Sequence, residues 1–255
     1  MPVAARRRRL IPALTQHLRQ GIEMNRSQLS DTVGALAGLA FAVLLLFGFA
    51  SVNPLREATD QELTAWWTTS SNLDDTVFSY FFILACVPCF LLFLASLRGR
   101  LASSEGGSAP LSGFIFATGI CFAAALLIAD SARGVVAYSV KFGDEPLPGP
   151  DTLRYLTSLS TGIVGLVAMP AVAITIGAAS WLIVRTRALP AWLGYAGALV
   201  VIGTAVMVAI GEGAFASPLV QLWVVAAGFE LWRTRNAAEA EDRRPAPVGS
   251  PAAVR

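Results

Sequence analysis

VFSYFFILACVPCFLLFLASL, residues 77–97, is uncharged from end to end, preceded by Asp74 and Asp75 and followed by Arg98 and Arg100. About 20 consecutive apolar residues, wound at about 1.5 Å each, match the roughly 30 Å hydrocarbon layer of a bilayer. The flanking charges give the span a direction, because arginine and lysine collect on the cytoplasmic side. One run therefore predicts a transmembrane helix with its acidic end outside and its arginine end inside.

Five more runs repeat the pattern, at about 32–52, 111–132, 158–184, 192–211 and 215–232. Arg6, Arg7, Arg8, Arg9, Arg19 and Arg26 precede the first span, Arg185 and Arg187 follow the fourth, and Arg233 and Arg235 follow the sixth. The alternate loops hold Glu57, Asp60, Glu62, Asp74, Asp75, Asp144, Glu145, Asp151 and Glu212 against only Arg56, Lys141 and Arg154. The predicted fold class is all-α, a six-helix transmembrane bundle with N and C termini cytoplasmic. Trp181, Trp192 and Trp232 fall at cytoplasmic ends, where an indole keeps its ring in lipid and its N–H near headgroups.

Composition agrees: 55% of residues are hydrophobic, 14% are charged and the mean hydropathy is +0.61. A soluble domain carries about 25% charged residues. The net charge of +2 gives no case for nucleic acid, and the lipid bilayer is the partner the pattern requires. Lys141 is the sole lysine among many arginines, which together with abundant Ala, Gly and Val suggests a GC-rich bacterial source. The expected location is a bacterial inner (plasma) membrane. The Arg-rich, acid-poor N-terminus also has the character of an organellar transit peptide, a less favoured reading.

Three regions follow: a basic cytoplasmic arm over 1–30, a six-span domain over 31–233, and a disordered cytoplasmic tail over 234–255. Pro12, Gln16, His17 and Arg19 break the apolar run after Arg9 before a signal-peptide core forms. Leu10, Leu14, Leu18 and Ile22 recur at four-residue steps, which suits either an amphipathic helix on anionic lipid or an unstructured arm. Within the spanning domain, segment 53–76 is a long outer loop with signals of its own. Asn53-Pro54 and the Thr59/Glu62 spacing are helix-start signals, and Leu63, Trp66 and Trp67 share a face. The expected element is a short helix lying in the outer interface with its apolar face on lipid; the alternative is a lid over an external cavity.

Few residues carry chemistry. Cys86 and Cys89 form a Cys-x-x-Cys around Pro88, with Cys121 at similar depth in the third span, a pattern that suits thiol exchange or a soft metal. An apolar midspan setting disfavours the thiolate, and helical residues three apart hold their Cβ atoms at about 5–6 Å, too far for an undistorted disulfide. Inert packing is the favoured role. Asp130 and Arg133 stand one turn apart near the outer end of the third span, where a local pair with Arg133 reaching water accounts for them. Glu212 lies in the Gly211–Gly213 outer turn, Asp31 stands at an N-cap position, and Glu230 precedes Arg233 by one turn. A proton or ion path through Asp130, Arg133 and Glu212 is the functional alternative. Gly34/Gly38, Ala173/Gly177 and Gly194/Gly197 suit close helix approach within the chain or in a dimer, and Pro88 and Pro170 predict kinks.

His17 is the only histidine, so no intramembrane bis-histidine heme or histidine zinc site can be built, and no P-loop, dinucleotide signature or Ser-His-Asp set is present. The sequence predicts no cofactor, no metal and no enzymatic activity. The run DQELTAWWTTSSNLDDTVFSYFFILACVPCFLLFLASLRGRLASSEGG (60–107) and RALPAWLGYAG (187–197) resemble an uncharacterised family of six-span bacterial integral membrane proteins. Shared features are the acidic, aromatic outer segment, the basic LRxRL turn with Glu-Gly, and the Pro-x-Trp-Leu-Gly lead into the fifth span. The resemblance implies a six-helix membrane protein and carries over no substrate or catalytic residue. The favoured expectation is a structural or regulatory membrane subunit with a membrane protein partner or a second copy. A small-molecule or ion permease comes next, and a thiol oxidoreductase using Cys86 and Cys89 third.

Overall fold

The structure, a computed structural model, describes residues 31–49 and 58–242, with side chains to 236. The basic arm and the Asn53-Pro54 signal lie outside the described residues. Helix α1 spans Asp31–Phe49, α2 Asp60–Thr68, α3 Ser70–Glu105, α4 Pro110–Phe142 and α5 Pro150–Ile163. A π-helical turn, Val164–Ala168, joins α5 to α6, Met169–Thr186; α7 is Ala191–Ala209, and a 3₁₀ turn, Gly213–Ala216, leads into α8, Ser217–Asp242. No strand occurs among the described residues. Six helical segments are long and apolar enough to cross a membrane, with α5, the π turn and α6 counting as one. The chain has the architecture of a multi-pass membrane protein.

Helix length sorts these segments. α7 has 19 residues, about 28 Å, close to the hydrocarbon depth. α3 has 36, α4 has 33 and the α5–α6 segment 37, or about 50–55 Å. A tilt of about 20° shortens that projection by only a few ångströms. α3 overruns its apolar run at both ends, over 70–76 and 98–105, whereas α4 and α5 overrun at the acidic end, over 133–142 and 150–157. Residues 70–76 and 133–142, expected in outer loops, are turns of α3 and α4. The expected disordered tail is also helical as far as Asp242, through the strong helix formers Ala237, Ala238, Glu239, Ala240 and Glu241.

Two apolar cores result. The larger fills the spanning part, where Phe41 of α1, Phe90 of α3 and Phe122 of α4 meet with ring centroids 4.9–6.3 Å apart. The smaller lies beyond it at the acidic end: Leu63 and Trp67 of α2, Leu73 and Val77 of α3, Val136 and Ala137 of α4, and Leu153 of α5. This corrects the expected orientation of α2. Its apolar face rests on protein, because the prolonged helices offer an apolar surface that lipid would otherwise have to cover; Trp67 is 2% exposed. Thr59 and Glu62 form the anticipated capping box. The backbone N–H and hydroxyl of Thr59 hold the Glu62 carboxylate below its ordinary value.

Ion pairs tie this cap together. Arg154 of α5 donates to Asp60 at 2.8 Å and to the Ala58 carbonyl, and Lys141 of α4 pairs with Asp74 of α3. Exposed pairs contribute about 0–1 kcal/mol each, so they fix register while the apolar contacts hold the cap. At the arginine end, Glu105 accepts from the backbone N–H groups of Leu111 and Ser112 at 2.8 and 2.9 Å, capping α4 from the end of α3.

The small-residue pairs pack within the chain. A Cβ at Gly34 would fall 2.3 Å from Ser96 Cβ, and one at Gly38 3.0 Å from the Phe93 ring, so α1 lies close on α3. Gly228 of α8 faces the Ala35 backbone, and Gly197 of α7 sits against Ser180 and Trp223, whose indole donates to the Leu193 carbonyl at 3.2 Å. α3 continues unbroken through Pro88, whereas Pro170 lies two residues past the end of the π turn.

Trp67→Ala should cost the cap about 3 kcal/mol or more. Hydrogen exchange would rise over 58–77 and 133–157 while the spanning helices stay protected. Acid should loosen α2 in the same way: the contribution of Glu62 is complete above its unfolded-state value and is lost as pH falls through its depressed folded value. Exchange of the Glu62 and Leu63 amides, followed against pH, reads this. In a cysteine-free variant, single cysteines at Ser70 and Gly149 should react with an impermeant thiol reagent in intact cells and one at Ser103 should not; the reverse labelling would invert the orientation.

Candidate functional site

A polar layer separates the two cores. On α4 the larger core ends at Ala129 and the smaller begins at Val136, and Asp130 and Arg133 stand between them. On α3 Ser79 occupies the same interval, and on α5 Thr157 and Ser160. Asp130 is about 20 residues, or 30 Å, from the start of α4, which places this seam at the edge of the hydrocarbon.

Arg133 Nη2 donates to Asp130 Oδ1 at 3.3 Å, and the two side chains are only 11% and 9% exposed. The expected pair is present, and the Arg133 side chain is largely covered rather than extended into open solvent. The cap built on Val136, Ala137 and Leu153 lies over that level, where the sequence alone suggested a loop. Neither Asp130 Oδ2 nor Thr157 Oγ1 has a hydrogen-bond partner among the described residues. Ser79 donates to the Gly48 carbonyl and so holds the end of α1 to the seam. Tyr80 packs where a Cβ at Gly134 would lie, 2.4 Å from its ring.

Glu212 is separate. It is exposed in the α7–α8 turn and lines a cleft of about 400 Å³ with Ser158, Thr161, Gly165, Leu166 and Phe215; neither Asp130 nor Arg133 is part of that lining. The structure therefore does not join the three ionisable residues into one cavity. The cleft floor is a backbone contact, because a Cβ at Gly213 would lie 2.6 Å from the Gly165 carbonyl oxygen in the π turn.

The cysteines diverge as well. Cys86 is buried in the larger core, Cys89 is half-buried and Cys121 is exposed on the outside of α4; all three are free thiols. No group of three or more His, Cys, Asp or Glu is placed to hold a metal among the described residues. At the arginine end, Arg233 meets Glu230 at 3.4 Å, and Asp31 lies within electrostatic reach of Arg100 and Arg235. Trp181, Trp192 and Trp232 are 44–65% exposed, as interface anchors require.

Ser79, Thr157, Ser160 and Gly165 were not singled out by the sequence, and Gly213 only as part of the turn around Glu212. Isolated hydroxyls and glycines in an apolar helix carry no periodic signal, and only Pro170 marks the irregular turn. No family model, curated protein or solved structure matches the chain.

Arg133→Ala should destabilise the protein by about 3 kcal/mol because it strands a buried carboxylate, and adding Asp130→Asn should recover part of the loss. Thermal unfolding in detergent compares the three variants. Cys86, Cys89 and Cys121 should alkylate fully after unfolding and tolerate joint replacement by Ala; an intact mass lacking two alkyl groups would reveal a disulfide instead.

Proposed function

We propose that the protein is a structural or regulatory subunit of a bacterial cell membrane, with its arginine end in the cytoplasm and its helical cap outside. The observation that carries this reading is the cap itself. Three helices run about 10–15 Å past their apolar spans at the acidic end and close with α2 over a second core, which gives a fixed shape beyond the spans. A subunit that positions a partner needs such a shape. The ionisable residues of the spans, by contrast, pair locally, Asp130 with Arg133 at the seam and Glu230 with Arg233 at the arginine end, with no shared cavity among the described residues.

The cap is acidic: Asp75, Asp144, Glu145 and Asp151 are exposed, while Lys141 and Arg154 are engaged within it. A partner with a basic surface suits it. The small-residue pairs already packed within the chain argue for contact through the cap rather than through the spans. A permease is the second reading, favoured by the π turn before Pro170 beside the cleft, since such turns recur at functional sites.

Cross-linking in native membranes, with a photoreactive residue at Asp151 or Asp75, tests the first reading. A discrete adduct of one mass, lost in Trp67→Ala, is expected. Absence of any adduct together with solute flux in reconstituted vesicles would favour the permease.

A further inference from the structure

The cleft at the α5–α6 junction has a lining of one chemical character. Among the described residues Glu212 is its only charged one, and no described cation faces it from the lining. Thr161 donates its hydroxyl proton to the Thr157 carbonyl at 3.0 Å, which leaves its oxygen as an acceptor. The N–H of Met169 bonds to the Val164 carbonyl, five residues back. The next donor in that register would be position 170, and Pro170 has none, so the Gly165 carbonyl loses that bond. This carbonyl lies against Gly213 on the cleft floor. α7 ends beside it, with its Met207 and Val208 carbonyls capped by the N–H groups of Glu212 and Gly211, which fixes the backbone that carries Glu212.

A carboxylate and a freed carbonyl thus converge from two elements, and each favours a hydrogen-bond-donating cation. A calcium ion wants six to eight oxygens, usually several of them charged, and one carboxylate falls short. Leu166 and Phe215, 66% and 71% exposed, supply apolar walls at the bilayer edge. A volume of about 400 Å³ is at the small end of ligand sites.

We infer that this cleft binds a primary alkylammonium group, its N–H donors on Glu212 and the Gly165 carbonyl and its carbon chain along Leu166 and Phe215. The amine is either free in water or the headgroup of an ethanolamine lipid. The inference stands independently of the subunit reading.

The test uses the full chain in nanodiscs. In phosphatidylglycerol discs, n-butylammonium chloride is titrated calorimetrically against empty discs. In discs of mixed phosphatidylethanolamine and phosphatidylglycerol, native mass spectrometry counts the lipids retained. Saturable butylammonium binding assigns a free amine, and preferential retention of phosphatidylethanolamine assigns the lipid; either supports the site if Glu212→Gln weakens it at least tenfold. Pro170→Ala, which restores an N–H for Gly165, should weaken it severalfold with the charge intact. Absence of binding in both arms, or binding unchanged in Glu212→Gln with helical content and melting preserved, overturns the proposal.

Discussion

Lipid offers a backbone no hydrogen bonds, so each crossing must be helical through the full hydrocarbon depth of about 30 Å. α7 is cut to that depth. α3, α4 and the α5–α6 segment exceed it by more than half, and their excess emerges into water as amphipathic helix that must bury its own apolar face. The second core is the consequence, and α2 completes it because three helices alone would leave Leu73, Val77 and Leu153 uncovered. Where the two cores meet, the solvent changes from lipid to water, and there the chain places Asp130, Arg133, Ser79, Thr157 and Ser160.

A buried ion pair is a poor source of net stability, since desolvation offsets most of its attraction. Its value at the seam is positional. Sliding α4 along α3 by one turn would carry a charge into the hydrocarbon or expose Val136 to water, so the pair penalises both displacements. Glu105 performs the corresponding task at the other end, where two backbone N–H groups of α4 fix the turn after α3.

The spans were legible because hydropathy and charge change together at their arginine ends, as at Leu97 to Arg98. Their acidic ends were not. RGVVAYSVKF, residues 133–142, mixes charge, glycine and aromatic residues and reads as loop on a hydropathy scale, although no proline interrupts it before Pro146. The start of α5 at Pro150-Asp151 carried a standard N-terminal signal that hydropathy masked. Thr59 and Glu62 announced α2 correctly because capping is local; what its apolar face would touch was not local and stayed hidden. The cleft depends on Gly165 meeting Gly213 across nearly fifty residues, a contact no single segment encodes.

The packing of α1 also constrains biogenesis. Gly38 lies against both Phe93 of α3 and Val224 of α8, and Gly228 of α8 against Ala35, so the first and last helices are direct neighbours. While the ribosome is still making the middle of the protein, one flank of α1 has no partner but lipid or the insertion machinery. The ring closes only when the final helix arrives, and a chain stalled before α8 presents an open glycine groove to the membrane. Such a groove is a ready mark by which quality control can tell an unfinished molecule from a finished one.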